Sequence, residues 1–260
     1  MDEELQLRIH GEPALPTLIY LPGLHGDWTL IGAFRHAVAG KVRFVEMTYP
    51  RTLDWSLDDY AATIENTLAQ NGINSGWLLG ESFGSQILWA MVARGKFQAA
   101  GLILAGGFVR HPMRWPVRLA ERLNGRVSLR LLIWIIFSYA KVARFRYRHS
   151  PEILRSLDEF IQRRTNRDRL AAQHRLYLVA ESDPRAAAAQ TTVPVFGVTG
   201  FFDPIVPWPR VRLWLKKNCP TLRDYKVIMR ADHNVLNTGT RSAAKLILQW
   251  MGQTGALPCR

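Results

Sequence analysis

The chain has 260 residues, of which 48% are hydrophobic, and a formal net charge of +13. That size and apolar share suit one large domain, or one domain carrying an insertion. Two cysteines, Cys219 and Cys259, exclude a disulfide framework and a metal-ligand cluster of cysteines, and they fit a reducing compartment.

The start, Met1-Asp2-Glu3-Glu4, is acidic and has no apolar run behind it, so no secretory signal and a cytoplasmic location are expected. Leu5, Leu7 and Ile9 alternate with polar residues, which predicts an edge strand. Thr17-Leu18-Ile19-Tyr20-Leu21 reads as a buried strand stopped by Pro22-Gly23. Residues 42–47 predict the next strand, and residues 57–71 carry apolar side chains at helical spacing, closed by Gly72. A short apolar run then enters Gly80-Glu81-Ser82-Phe83-Gly84, followed by a helix to about Arg94 and a strand over residues 100–105. Strand and helix alternate, the mark of a parallel α/β sheet.

From Val109 to Arg185 the alternation stops and only helical segments are predicted, notably over 114–123, 127–145 and 151–163. This stretch carries 17 Arg and Lys against 7 Asp and Glu, so +10 of the net charge sits there. Its centre, residues 131–137, is apolar on every face and includes Trp134 and Phe137. It is far shorter than the ~20 residues that span a bilayer. Such a helix is either buried or faces a ligand or lipid surface. The basic flanks are open to an anionic membrane or a phosphorylated acyl carrier; the bland competitor is a set of solvated helices. No aromatic–basic nucleic-acid module is present, so no nucleic acid is expected. Alternation resumes with a strand at 193–198, a helix near 211–217, a last strand at 225–229 and a closing helix at 243–251.

Gly-x-Ser-x-Gly after a strand and before a helix is the form of a nucleophile elbow. The glycines admit a strained turn and close packing around Ser82, and the Phe83 N–H falls at a helix start, where it can bind an oxyanion. By accident this pentapeptide occurs in roughly one chain of this length in ten, so its partners decide. Asp203 follows the strand at 193–198, and His233 follows the last strand. A serine nucleophile needs a base, and the base needs an acceptor to fix its tautomer. In a parallel sheet those strand ends share one edge, where ligands bind.

With these residues the chain resembles the α/β-hydrolase fold superfamily, of the serine hydrolase kind with a helical lid. The resemblance covers about residues 15–108 and 190–252. It rests on the elbow at 80–84, on Gly-x-x-Asp-x-x-Val-Pro at 200–207, and on the Asp-His pair at 232–233. It implies a hydrolase core over 1–108 and 186–260, with a cap over 109–185. The family's oxyanion loop has His-Gly-x after the first central strand. Here Pro22-Gly23-Leu24 stands there, which makes Leu24 and Phe83 the expected donors, with His25-Gly26-Asp27 as a second alignment.

The expected reaction is cleavage of a carboxylic ester or thioester with an apolar acyl group, through an acyl-enzyme on Ser82. His233 is the base and Asp203 orients it. No metal and no organic cofactor are called for. Acyl transfer and C–C bond hydrolysis use the same triad, and a non-catalytic hydrolase-fold binding protein is the alternative from another class. Serine at the elbow argues against dehalogenase and epoxide hydrolase chemistry, for which the resemblance calls for aspartate. Asp232 competes with Asp203, but adjacent side chains on a strand point apart. Trp28, Trp134 and Phe137 are candidate pocket residues, although large aromatics are more often packing. His111, His149 and His174 read as surface residues, His25 as loop-shaping, and Glu81 as a structural hydrogen-bonding group.

Overall fold

The computed structural model describes residues 4–113, 115, 117–119, 151–162 and 165–253. Seven strands form one sheet: β1 (Gln6–His10), β2 (Thr17–Leu21), β3 (Arg43–Thr48), β4 (Ser75–Glu81), β5 (Gln98–Ala105), β6 (Val195–Gly200) and β7 (Leu222–Ile228). Their spatial order is β1-β3-β2-β4-β5-β6-β7. Only β1 runs antiparallel, pairing Gln6 with Thr48 through His10 with Phe44; every other pair is parallel. The β2, β4, β5 and β6 interiors are buried on both faces, which explains why they read as continuous apolar runs rather than alternating ones.

Helices cover both faces. Before β5 they are α1 (Gly32–Val38), α2 (Leu57–Gln70) and α3 (Gly84–Arg94). Between β5 and β6 the described residues hold α4 (Pro151–Gln162), α5 (Asn166–Glu181) and α6 (Arg185–Gln190), and no strand. The chain closes with α7 (Trp208–Asn218), α8 (Val235–Thr238) and α9 (Thr240–Gln253). Local chemistry sets several ends. Ser56 and Asp59 form a capping box at the start of α2, and Thr165 and Asp168 form one at the start of α5. Gly95, at φ 63°, closes α3 in the left-handed conformation.

The sheet separates two cores. Ile19, Val45, Leu78, Leu102 and Leu104 pack against α2, α3, α6 and α7 on one side. Leu18, Tyr20, Phe44, Trp77, Leu79 and Phe196 pack against α1, α8 and α9 on the other. Trp28 lies in the second core, 8% exposed, with the Arg8 guanidinium 3.8 Å above its ring. The pocket role expected of it gives way to a packing one. Trp134, Phe137, His149 and Cys259 lie outside the described residues. Among the described residues, no helix is long and apolar enough to cross a membrane.

β2 has β3 on one flank and β4 on the other. The chain therefore leaves β2 in one direction and returns past it in the other. Such a switch point opens a crevice at the carboxyl ends of the two strands. Residues 22–26 follow β2 there, and Ser82 follows β4.

Candidate active site

Ser82 sits between the last residue of β4 and the start of α3 with φ 49°, the only non-glycine residue at positive φ among those described. That conformation is costly for an L-residue and persists only where surrounding structure enforces it. Here the enforcement is visible. The Ser82 N–H donates to the Ala105 carbonyl at 3.1 Å, and the Ser82 carbonyl accepts from the Ser85 N–H at 3.0 Å. A Cβ at Gly80 would stand 2.9 Å from the Ser85 backbone, and one at Gly84 would stand 2.1 Å from the Leu21 carbonyl oxygen. Both glycines are steric requirements of the turn.

Ser82 Oγ lies 2.9 Å from His233 Nε2, and His233 Nδ1 lies 2.8 Å from Asp203 Oδ2. An ionised carboxylate only accepts, so Nδ1 carries a proton and Nε2 presents its lone pair to the serine hydroxyl. The other Asp203 oxygen accepts the N–H groups of Ile205 and Val206 at 2.9 and 2.8 Å, so the loop after β6 holds the carboxylate by its own backbone. The Asp203 side chain is fully buried and that of His233 is 9% exposed.

Two glycines seat the loop after β7. A Cβ on Gly200 would meet the Asp232 carbonyl oxygen at 2.2 Å, and one on Gly106 would meet that of His233 at 2.8 Å. Asp232 does not lie on a strand, as the sequence reading supposed, because β7 ends at Ile228. Its Oδ1 instead accepts from the Asn234 N–H and stands 3.0 Å from the Thr238 hydroxyl. It staples the loop that carries His233, whereas the imidazole Nδ1 is bonded to Asp203.

Burial alone would push the His233 imidazole down. The Asp203 hydrogen bond and the negative charges of Asp203, Glu81 and Asp232 outweigh it, so its pKa is raised above the ordinary 6.5. Glu81 is buried behind the elbow and accepts the Tyr20 hydroxyl. Burial raises the Glu81 carboxyl, against the Tyr20 hydrogen bond and the His233 charge, which lower it.

Sequence reasoning missed the girder beneath the elbow. Ser85, Gln86 and Trp89, on the buried face of α3, all converge on the Phe108 carbonyl, at 3.0, 3.0 and 3.2 Å. Polar side chains at the start of an otherwise apolar helix were the available signal. His111 is buried against Phe108, with ring centroids 5.0 Å apart, and the His174 Nε2 bonds the Trp55 carbonyl at 2.7 Å. His111 is therefore not the surface residue expected, while His174 is half-buried. His25 packs beside Gly23 and edge-on to Phe160, in keeping with a loop-shaping part. A cavity of about 510 Å³ opens between residues 109–112 and α7, lined among others by His111, Arg210, Trp214 and Leu215. Among the described residues, no group of three or more His, Cys, Asp or Glu is placed to hold a metal ion.

The family model described as "Serine aminopeptidase, S33" matches residues 45–238, about three quarters of the chain. The chain belongs to this α/β-hydrolase family. Solved structures repeat its fold. A thermophilic esterase from Thermogutta terrifontis superposes with a TM-score of 0.78 at 19% identity, covering 97% of this chain and 94% of that one. The enol-lactonase from Burkholderia xenovorans LB400 superposes with a TM-score of 0.74 at 15% identity, covering 95% and 96%. In sequence the hydrolase is 30% identical over 112 residues to a 2-succinyl-6-hydroxy-2,4-cyclohexadiene-1-carboxylate synthase from Escherichia coli O157:H7. That match takes in 40% of this chain and 42% of the relative's length.

Proposed function

We propose that this hydrolase cleaves carboxylic ester or thioester bonds through an acyl-enzyme on Ser82. The observation that carries the reading is the relay from Ser82 Oγ to His233 Nε2 at 2.9 Å and from His233 Nδ1 to Asp203 at 2.8 Å. His233 takes the hydroxyl proton as Ser82 attacks the acyl carbon, and gives it to the leaving group as the tetrahedral intermediate collapses. Asp203 keeps the imidazole in the reactive tautomer and stabilises it once charged. The N–H groups of Leu24 and Phe83, at the ends of β2 and β4, hold the oxyanion. Water, activated by the same histidine, then releases the acid. We assign residues 109–185 to a cap inserted in the hydrolase core, whose many arginines and lysines would suit contact with an anionic membrane or an acyl carrier.

The esterases among the similar structures support the substrate class. A fluorophosphonate probe tests the nucleophile, and a panel of p-nitrophenyl esters and acyl-CoA thioesters of graded length tests the substrate. Stoichiometric labelling with turnover of at least one chain length is expected. Labelling without ester or thioester turnover would favour a second reading, a synthase that forms a cyclohexadiene carboxylate, which the partial identity to the Escherichia coli protein raises. No labelling would leave a binding protein on this fold.

A further inference from the structure

Arg175, on α5, is 2% exposed, and its guanidinium donates to two main-chain carbonyls. Its Nη1 donates to the Leu24 carbonyl at 3.0 Å and its Nη2 to the Pro50 carbonyl at 3.2 Å. Its guanidinium carbon lies 5.5 Å from the Tyr49 ring centroid. Taking a guanidinium out of water costs several kcal/mol unless directed partners compensate. A leucine or methionine would fill the same space without that penalty. The arrangement therefore calls for the fork of donors, not for bulk.

The loop that Arg175 grips is bound at several points. The Pro22 carbonyl accepts the Tyr49 hydroxyl at 3.2 Å. The Gly23 carbonyl accepts the Gly26 N–H at 3.0 Å, and the Gly26 carbonyl accepts the Tyr49 N–H at 2.8 Å. The Gly23 carbonyl and the Leu24 N–H are two ends of one trans peptide, so fixing the first aims the second the opposite way. The next carbonyl along is that of Leu24, and Arg175 holds it. Gly26 makes room for that grip, since a Cβ there would stand 2.2 Å from Arg175 Nη1.

We infer that Arg175 is a positioning residue for the reaction: reaching in from the insertion, it clamps the Leu24 carbonyl and so keeps the Leu24 N–H turned toward the oxyanion beside Ser82. The inference rests on the reading of Ser82 as nucleophile and Leu24 as donor. It ties the insertion to the chemistry as well as to substrate entry, because the clamp comes from α5 and the donor from the loop after β2.

The test compares wild type, Arg175→Ala and Arg175→Lys on one p-nitrophenyl ester and on the fluorophosphonate probe, with and without guanidinium at a low, non-denaturing concentration. Loss of one aligned oxyanion donor should cut kcat of Arg175→Ala by roughly 10²-fold with KM within about twofold. Guanidinium should restore a large part of that kcat, and potassium chloride of equal ionic strength should not. Arg175→Lys keeps the charge and stem but not the fork, so it should melt with wild type and stay slow. Wild-type kcat in a folded Arg175→Ala or in Arg175→Lys overturns the inference. Equal recovery in potassium chloride overturns it, and so does a variant that regains its fold, and only thereby its rate, in guanidinium. If wild type itself takes no label, the Ser82 reading falls and this one with it. If wild type labels and the variants label equally fast, only the Arg175 assignment falls.

Discussion

Gly84 presses against Leu21 so closely that a Cβ on it would lie 2.1 Å from the Leu21 carbonyl oxygen. The contact joins the start of α3 to the end of β2, the two places that supply Phe83 and Leu24. Gly84→Ala must push these segments apart. Overpacking of this kind costs about 1–3 kcal/mol. Denaturant melts should show that loss, and kcat should fall more steeply than the stability change alone explains.

The two aspartates near His233 are separable. Asp203→Asn keeps the shape of the carboxylate but leaves the imidazole in the wrong tautomer, a loss that reaches ~10⁴-fold in kcat in a comparable triad. Asp232→Asn weakens the staple to Asn234 and Thr238, so it should lower the melting temperature with a far smaller loss of kcat. The activity ratio of the two variants at one pH checks the ranking, and the reverse order would move the orienting role to Asp232.

Much of this was legible in the sequence. The doubly buried strands read as apolar runs, and the elbow, Asp203 and His233 each follow one, so fold and relay could be laid out by counting strand ends. The misses share a cause. α1 is only seven residues with no side-chain cap, too short to show a period. His111 and Arg175 are buried single polar residues in a basic, helical stretch, where charge suggests solvent. Trp28 has the size of a pocket residue but the burial of a core one. Periodicity reports faces of elements; it is blind to one polar side chain turned inward to meet a distant carbonyl.

The raised His233 pKa gives the pH profile a direction. Only neutral imidazole accepts the Ser82 proton, so kcat/KM should rise with pH through an inflection above 6.5. Burial opposes the shift, while Asp203, Glu81 and Asp232 produce it. Glu81→Gln should therefore move that inflection down, and an unmoved limb would remove Glu81 from the set. The same shift affects the fold with the sign of a raised base. The charged imidazole stabilises the folded state fully below its unfolded pKa of about 6.5, and the contribution is lost as pH rises through the folded value.

The central claim is a covalent acyl-enzyme on Ser82. Wild-type protein, quenched in acid during turnover of its best p-nitrophenyl ester and digested, tests it directly by peptide mass. The account predicts one added acyl group, on the peptide holding Ser82, which disappears in Ser82→Ala together with turnover. Turnover with no acylated peptide, an acyl group on another residue, or a Ser82→Ala variant that works at near wild-type rate would contradict it.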